Sequence, residues 1–245
     1  MAHALLAPDG FASGHLGLSV FRLTDVAAAR EALAGITTEP GAVLVEVKVP
    51  VERVADVAAL TALGFWVVDT AVQLDAPAPT LIAAAVPVGA DSRVRDAEPT
   101  DREVVARIVG ENMINSRYHL DPRIDPTRAS AFKRAWVSNF FDGLRGQRLL
   151  VTVGARGVGA ILLVLEKGNQ GVIDLIAVDQ AHRGSHSAAR LIQMWLTSSP
   201  HLASVLVGTQ VSNLPSLRIY GRLGFRVCGA SHVLHYLRRP GGAQA

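Results

Sequence analysis

With 245 residues, 49% of them hydrophobic and 18% charged, the chain can bury a substantial core in one large domain or two small ones, and it needs no disulfide. A net charge of +3 suits anionic ligands, but Arg93, Arg95, Arg102, Arg107, Arg123 and Arg128 are scattered and read as solvated surface. Aromatics total only 5%, which excludes the interleaved basic and aromatic stripe of a nucleic-acid binder. The longest low-charge apolar run, 81–90, is too short to span a bilayer and contains Pro87, and no basic-then-apolar leader opens the sequence, so a cytoplasmic protein without membrane contact is expected.

In chain order, the periodicity predicts a strand at 17–23, a helix at 25–34, a strand at 42–49, a helix at 52–63 and a strand at 65–74, an alternating α/β pattern. The stretch 83–97 mixes Pro, Gly and charge and reads as a linker, and Thr100 with Glu103 has capping-box spacing for the next helix. Helices follow at 101–113 and 126–142, then a three-strand meander at 148–155, 157–166 and 171–178. A helix at 185–198, a strand at 203–209, a helix at 214–223 and a strand at 225–238 complete the order. The division expected is an α/β domain at 1–88 without a catalytic motif, a second domain at 89–239 and a disordered tail at 240–245. Cys228, the single cysteine, falls on an alternating strand and reads as a small packing residue.

Two neighbouring stretches carry the chemistry. An apolar strand ending near Val178 meets Arg183 and Gly184 and turns into a helix with Ala188, Leu191, Ile192 and Trp195 at helical spacing. Such a turn leaves the first helical N–H groups unpaired at the positive end of the macrodipole, a site for a phosphate or pyrophosphate. The next strand runs into Thr209, Gln210 and Asn213, and a short helix starts with Pro215 in its first turn, carries Tyr220 and stops at Gly224.

The loop Arg183-Gly184-Ser185-His186-Ser187-Ala188 and the helix end Tyr220-Gly221-Arg222-Leu223-Gly224-Phe225 resemble the GNAT superfamily of acyl-CoA N-acyltransferases. That family's pyrophosphate loop has the pattern [RQ]-x-x-G-x-[GA], and its later helix carries Tyr-x-x-x-Gly-Phe. The departure is His186, which stands where the family has glycine, so a Cβ is expected to weaken or shift the cofactor. Ser116-Arg117-Tyr118-His119-Leu120-Asp121-Pro122, followed by a helix with Phe132, Trp136 and Phe140 on one face, is similar to enzymes that acetylate dTDP-linked amino sugars. So are Thr209-Gln210 with Asn213 and Ser216, and the segments 11–18 and 63–70 of the opening half.

The resemblance implies a GNAT fold, an α/β architecture with a mixed central sheet splayed at the CoA site and an N-terminal half like a degenerate GNAT unit. It implies acetyl-CoA as co-substrate, held by Ile176, Ala177 and Val178, by 183–188 (Arg183, Gly184, Ser185, His186, Ser187, Ala188), and by Asn213 and Ser216, with the oxyanion donor near 176–178. The acceptor implied is a small-molecule amine, a nucleotide-linked amino sugar, met by Arg117, Tyr118, Asp121, Trp136 and Gln210, with Arg123 a further cation for a diphosphate. No metal and no nucleic acid are implied, and the oligomeric state stays open, a homodimer included.

The alternatives are a GNAT enzyme for another small amine, an amino acid or a protein N-terminus, and a non-catalytic CoA-binding module. Direct attack of a neutral amine on the thioester needs an acid for the leaving thiolate. A phenol, with a reference pKa of ~10 against ~8.5 for a thiol, makes Tyr220 that acid. Asp174 and His119 stand as alternative bases, with water alone a third route. The halves echo each other in Leu63-Gly64-Phe65-Trp66-Val67 and Leu223-Gly224-Phe225-Arg226-Val227, as a duplication or by chance. Leu60 stands at the place of Tyr220, so one catalytic site is expected, in the second half.

Overall fold

A computed structural model of the chain describes residues 5–37, 39–86 and 93–240. Its first half runs β1 (Leu6–Pro8), α1 (Gly10–Leu16), β2 (Ser19–Leu23), α2 (Ala29–Gly35), β3 (Val43–Pro50), α3 (Val54–Ala62), β4 (Trp66–Pro77) and α4 (Ala78–Ala83). The second runs β5 (Arg93–Asp96), α5 (Arg102–Asn112), α6 (Arg117–Leu120), α7 (Pro126–Ser138), β6 (Arg148–Gly154), β7 (Gly157–Lys167) and β8 (Gln170–Val178). It closes with α8 (Ser187–Thr197), β9 (Ser204–Gln210), α9 (Leu214–Leu223) and β10 (Arg226–Arg238). The expected boundary at 88/89 and residues 241–245 of the expected tail lie outside the described residues.

Among the described residues, five short elements escape the periodicity, because three to seven residues are too few to show a period: β1, α1, α4, α6 and β5. β5 lies within the expected linker and pairs antiparallel with β6, which makes the meander four strands. The capping box is formed by Glu98 and Asp101 rather than Thr100 and Glu103, with the Glu98 N–H donating to Asp101 at 2.8 Å. Asp101 is also held by Arg95, whose guanidinium reaches both its oxygens at 2.6 and 2.9 Å, and the competing carboxylate at Glu103 stays exposed. Cys228 is exposed rather than packed, because the β10 ladder shifts register between Val227 and Gly229 and leaves it without an opposite residue. The scattered arginines are mostly paired: Arg102 with Asp142, Arg107 with Glu111 and Asp179, and Arg123, nearly buried, with Asp121.

The ten strands among the described residues join one sheet in the order β1-β2-β3-β10-β4-β9-β8-β7-β6-β5. The halves exchange their last strands: β10 of the second half lies against β3, and β4 of the first lies against β9. The registers match at the offset of the Leu-Gly-Phe echo, which is 160 positions (63 to 223). Pro50 pairs with Ser231, and the residues at that offset, Gln210 and Ala71, pair with each other. Between the exchanged strands Ala71 faces Ser231, its own equivalent, so a local two-fold relation passes between β4 and β10. A short chance echo in sequence would not reproduce two ladders in the same register.

The strand that positions the site is β8. It pairs in parallel with β9 only from Gln170–Ser204 to Ile173–Val207, after which the two diverge while β9 stays paired with β4 as far as Gln210. The sheet therefore opens along 174–178, and backbone groups on that edge lose their partners. One face of β8 carries α8, whose apolar stripe buries Leu191, Ile192, Trp195 and Leu196. Gly171 allows this close approach, since a Cβ there would sit 2.4 Å from the Trp195 ring.

Candidate active site

At the opening lies a cleft of about 630 Å³, floored by 176–178 and walled by 182–189 and by α9 from Asn213 to Leu223, with the loop 112–116 closing one side. Gly184 adopts φ 80° and His186 φ 57°, so the chain turns back into α8 through two left-handed residues. The first helical bond of α8 runs from the Arg190 N–H to the His186 carbonyl at 3.1 Å, so the N–H groups of Ser187, Ala188 and Ala189 precede the ladder. Ser185 steadies the turn by donating to the His182 carbonyl at 2.5 Å and sharing a 2.7 Å bond with Ser187. His186 is the one non-glycine residue with positive φ among the described residues, a geometry that favours glycine for want of a Cβ.

Across the cleft, Asn213 caps α9 by accepting from the Ser216 N–H at 3.3 Å and donates to Thr209 at 3.2 Å. Tyr220 is nearly buried, edge-on to Phe225 at 5.3 Å, and its hydroxyl has no hydrogen-bond partner among the described residues. Burial pushes the phenol above its ordinary value, so it stays protonated beyond the normal phenol range. A pre-formed turn of N–H groups ahead of the helical ladder, an opened strand edge and Tyr220 thus line one cavity. Residues 115–225 match the acetyltransferase (GNAT) family. This segment is a GNAT acetyltransferase domain.

Beside this GNAT match, the chain is 28% identical over 145 residues to the spore coat polysaccharide biosynthesis protein SpsD of Bacillus subtilis (strain 168), covering 56% of this chain and 48% of that protein. The match thus spans about half the length of this curated relative. Among solved structures, a functionally unknown conserved protein from Staphylococcus epidermidis shares 10% identity at a TM-score of 0.62, covering 89% of this chain and 83% of its own. A GCN5-related N-acetyltransferase from Sphaerobacter thermophilus gives 15% and 0.57, over 88% and 66% of the chains. A tandem GNAT protein from the clavulanic acid biosynthesis pathway also shares 15%, at 0.56, over 93% of this chain and 77% of that one. At such identities the likeness is one of fold, and the fold is the GNAT fold.

The GNAT cleft brings together all eleven residues expected at the cofactor, Ile176–Val178, Arg183–Ala188, Asn213 and Ser216, together with Tyr220. The other expected residues stand outside its lining. Asp174 is the extra residue where the β7–β8 register shifts, and both its oxygens accept from Arg145, at 2.5 and 2.7 Å, with the Trp136 indole N–H at 3.3 Å. The Trp136 ring is itself covered by the Arg145 guanidinium, 3.6 Å from its centroid. His119 lies in α6, between the Ser116 hydroxyl at 2.7 Å and the Ser130 hydroxyl at 3.1 Å; burial and then the Lys133 charge lower its pKa.

Arg117 and Tyr118 form a packed cluster with Glu46 of β3: Arg117 donates to Glu46 at 2.9 Å and to the Tyr118 hydroxyl at 2.9 Å, and that hydroxyl donates to Glu46. Asp121 is fully buried against Arg123 and His235, each at 2.9 Å. Burial alone would raise its pKa, but those hydrogen bonds hold it well below the usual carboxylate range. Gln210 ends the β9 ladder opposite Ala71. Two residues have no role assigned in the sequence reading. Ser116 lines the cleft and bonds His119, and Lys133 faces Arg117, Asp174 and Arg145 from α7. Nothing in a lone Ser or Lys on a helical pattern distinguishes either.

Proposed function

We propose that the chain moves an acetyl group from acetyl-CoA to the amine of a nucleotide-linked amino sugar, by direct attack with both substrates bound. The observation that carries the reading is that the opened edge at 176–178, the α8 turn and Tyr220 line one cleft. The N–H groups of 187–189 and the side chain of Arg183 take the pyrophosphate of the coenzyme. Gly184, whose Cβ position is open space, leaves room for that approach. A backbone N–H of 176–178 donates to the carbonyl oxygen as negative charge develops there, and Tyr220 gives its proton to the leaving sulfur.

For the amine's proton, His119 is favoured over Asp174. Asp174 has both oxygens engaged by Arg145, whereas His119 is kept neutral by its lowered pKa and touches the cleft through Ser116. The amine's proton passes to the Ser116 oxygen as that hydroxyl hands its own to Nδ1 of His119. The sugar acceptor is supported by the likeness of 116–122 and 209–216 to amino-sugar acetyltransferases and by the polysaccharide biosynthesis name of the relative. Mass spectrometry of products after incubation of acetyl-CoA with dTDP-, UDP- and GDP-linked amino sugars tests it. An added acetyl group on one of them is expected; acetylation confined to amino acids or peptides overturns the sugar assignment.

A further inference from the structure

The arginines that the sequence offers for an acceptor's diphosphate are largely committed. Arg123 is bidentate on buried Asp121, and Arg117 spends Nε and one Nη2 bond on Glu46 and Tyr118. Lys133 is not. It is half-buried on α7, its ammonium lies 5.9 Å from the centroids of both Phe132 and Trp136, and it makes no hydrogen bond or ion pair among the described residues. The charged groups facing it are Arg117 from α6, Asp174 from β8 and Arg145 from the segment after α7, and the imidazole of His119 lies close by.

Each of those two arginines keeps unspent donors. Arg145 uses Nε and Nη2 on Asp174, and Arg117 uses Nε and Nη2 on Glu46 and Tyr118, so both Nη1 groups have no partner among the described residues. Glu46 and Asp174 are each ion-paired with one arginine, which leaves the cluster with one more cation than anion and the Lys133 ammonium desolvated by burial. A desolvated ammonium beside two guanidinium groups is costly in the free protein unless an anion completes it. Burial first, then Arg117 and Arg145, push its pKa down to about 8, against the opposing pull of the Asp174 carboxylate.

We propose that Lys133, with the Nη1 donors of Arg117 and Arg145, forms a subsite for a phosphate or diphosphate group carried by the acceptor. Three cationic donors from three separate segments suit an oxyanion with two or more charges and several acceptor oxygens, which a single carboxylate does not supply. The subsite deepens the acetyl-transfer reading and rests on it. It is separate from the α8 turn, which uses backbone N–H groups for the coenzyme.

The chain has three lysines, Lys48, Lys133 and Lys167, so ¹³C-dimethylation of lysines gives a spectrum simple enough to follow each ammonium, with Lys133→Arg identifying its signal. The α8 turn is first filled with saturating coenzyme A, and then inorganic pyrophosphate, UDP, dTDP and, as a control, acetate are titrated in. Pyrophosphate and the nucleoside diphosphates are expected to raise the Lys133 titration midpoint by a pH unit or more and to leave Lys167 unmoved. Lys133→Gln should weaken their binding roughly 10-fold or more with coenzyme affinity unchanged, as expected for loss of one charge-assisted contact. A Lys133 signal unmoved by all three phosphates, or moved as strongly by acetate, overturns the subsite. Failure of the acetyl-transfer reading looks different: no coenzyme binding, and no thiol release with any amine.

Discussion

At the scale of single residues, the two that decide between a catalyst and a folded relic are Tyr220 and His186. The Tyr220 hydroxyl has no hydrogen-bond partner among the described residues, so Tyr220→Phe should leave the melting temperature and coenzyme affinity unchanged while lowering kcat by roughly 10²-fold or more. Because burial raises the phenol above its usual ~10, it remains a proton donor through the working range, and the deficit should persist to pH 10. Convergence of the two proteins belongs at still higher pH, where the tyrosine ionises; wild-type turnover by the variant throughout would make Tyr220 a packing residue. His186 reads differently, as a strained position. Its φ of 57° costs a side chain about 1 kcal/mol that glycine does not incur, offset in part by glycine's larger entropy in the unfolded chain. His186→Gly is expected to bind coenzyme A at least as tightly and to melt up to about 4 °C higher, measured by calorimetry. A lower melting temperature with weaker binding would show instead that the imidazole itself holds the turn.

At the scale of elements, what the sequence made legible follows from length and polarity. Elements with two or more turns or five or more alternating residues declare their period, so α5, α8, α9 and β6 to β10 are readable within a few residues. The α8 turn is readable too, since its Arg-Gly punctuation is local. The acceptor side was named residue by residue, but its roles were not legible, because they depend on partners far away in sequence: Arg117 on Glu46, Asp174 on Arg145, Asp121 on His235. A carboxylate beside a distant arginine looks the same in sequence as one beside none. The exchange of β4 and β10 was equally hidden, since equivalent strands carry interchangeable patterns and only the ladders tell which partner each one takes.

At the scale of the whole molecule, that exchange removes any seam between the halves, because β3, β10, β4 and β9 alternate between them within one sheet. Native-state hydrogen exchange should therefore show the buried amides of these four strands opening with one common free energy, and a first half that opens separately at lower cost would contradict it. The arrangement also bears on how the chain is made. β4 leaves the ribosome roughly 150 residues ahead of β10, so a nascent first half holds β3 with its proper neighbour not yet synthesised. The register equivalence makes β4 itself the obvious substitute, pairing Ala71 with Pro50 where Ser231 belongs. A growing chain that accepts this early hairpin must later surrender it, strand for strand, which makes slow maturation and pairing between two unfinished copies the characteristic hazards of its synthesis.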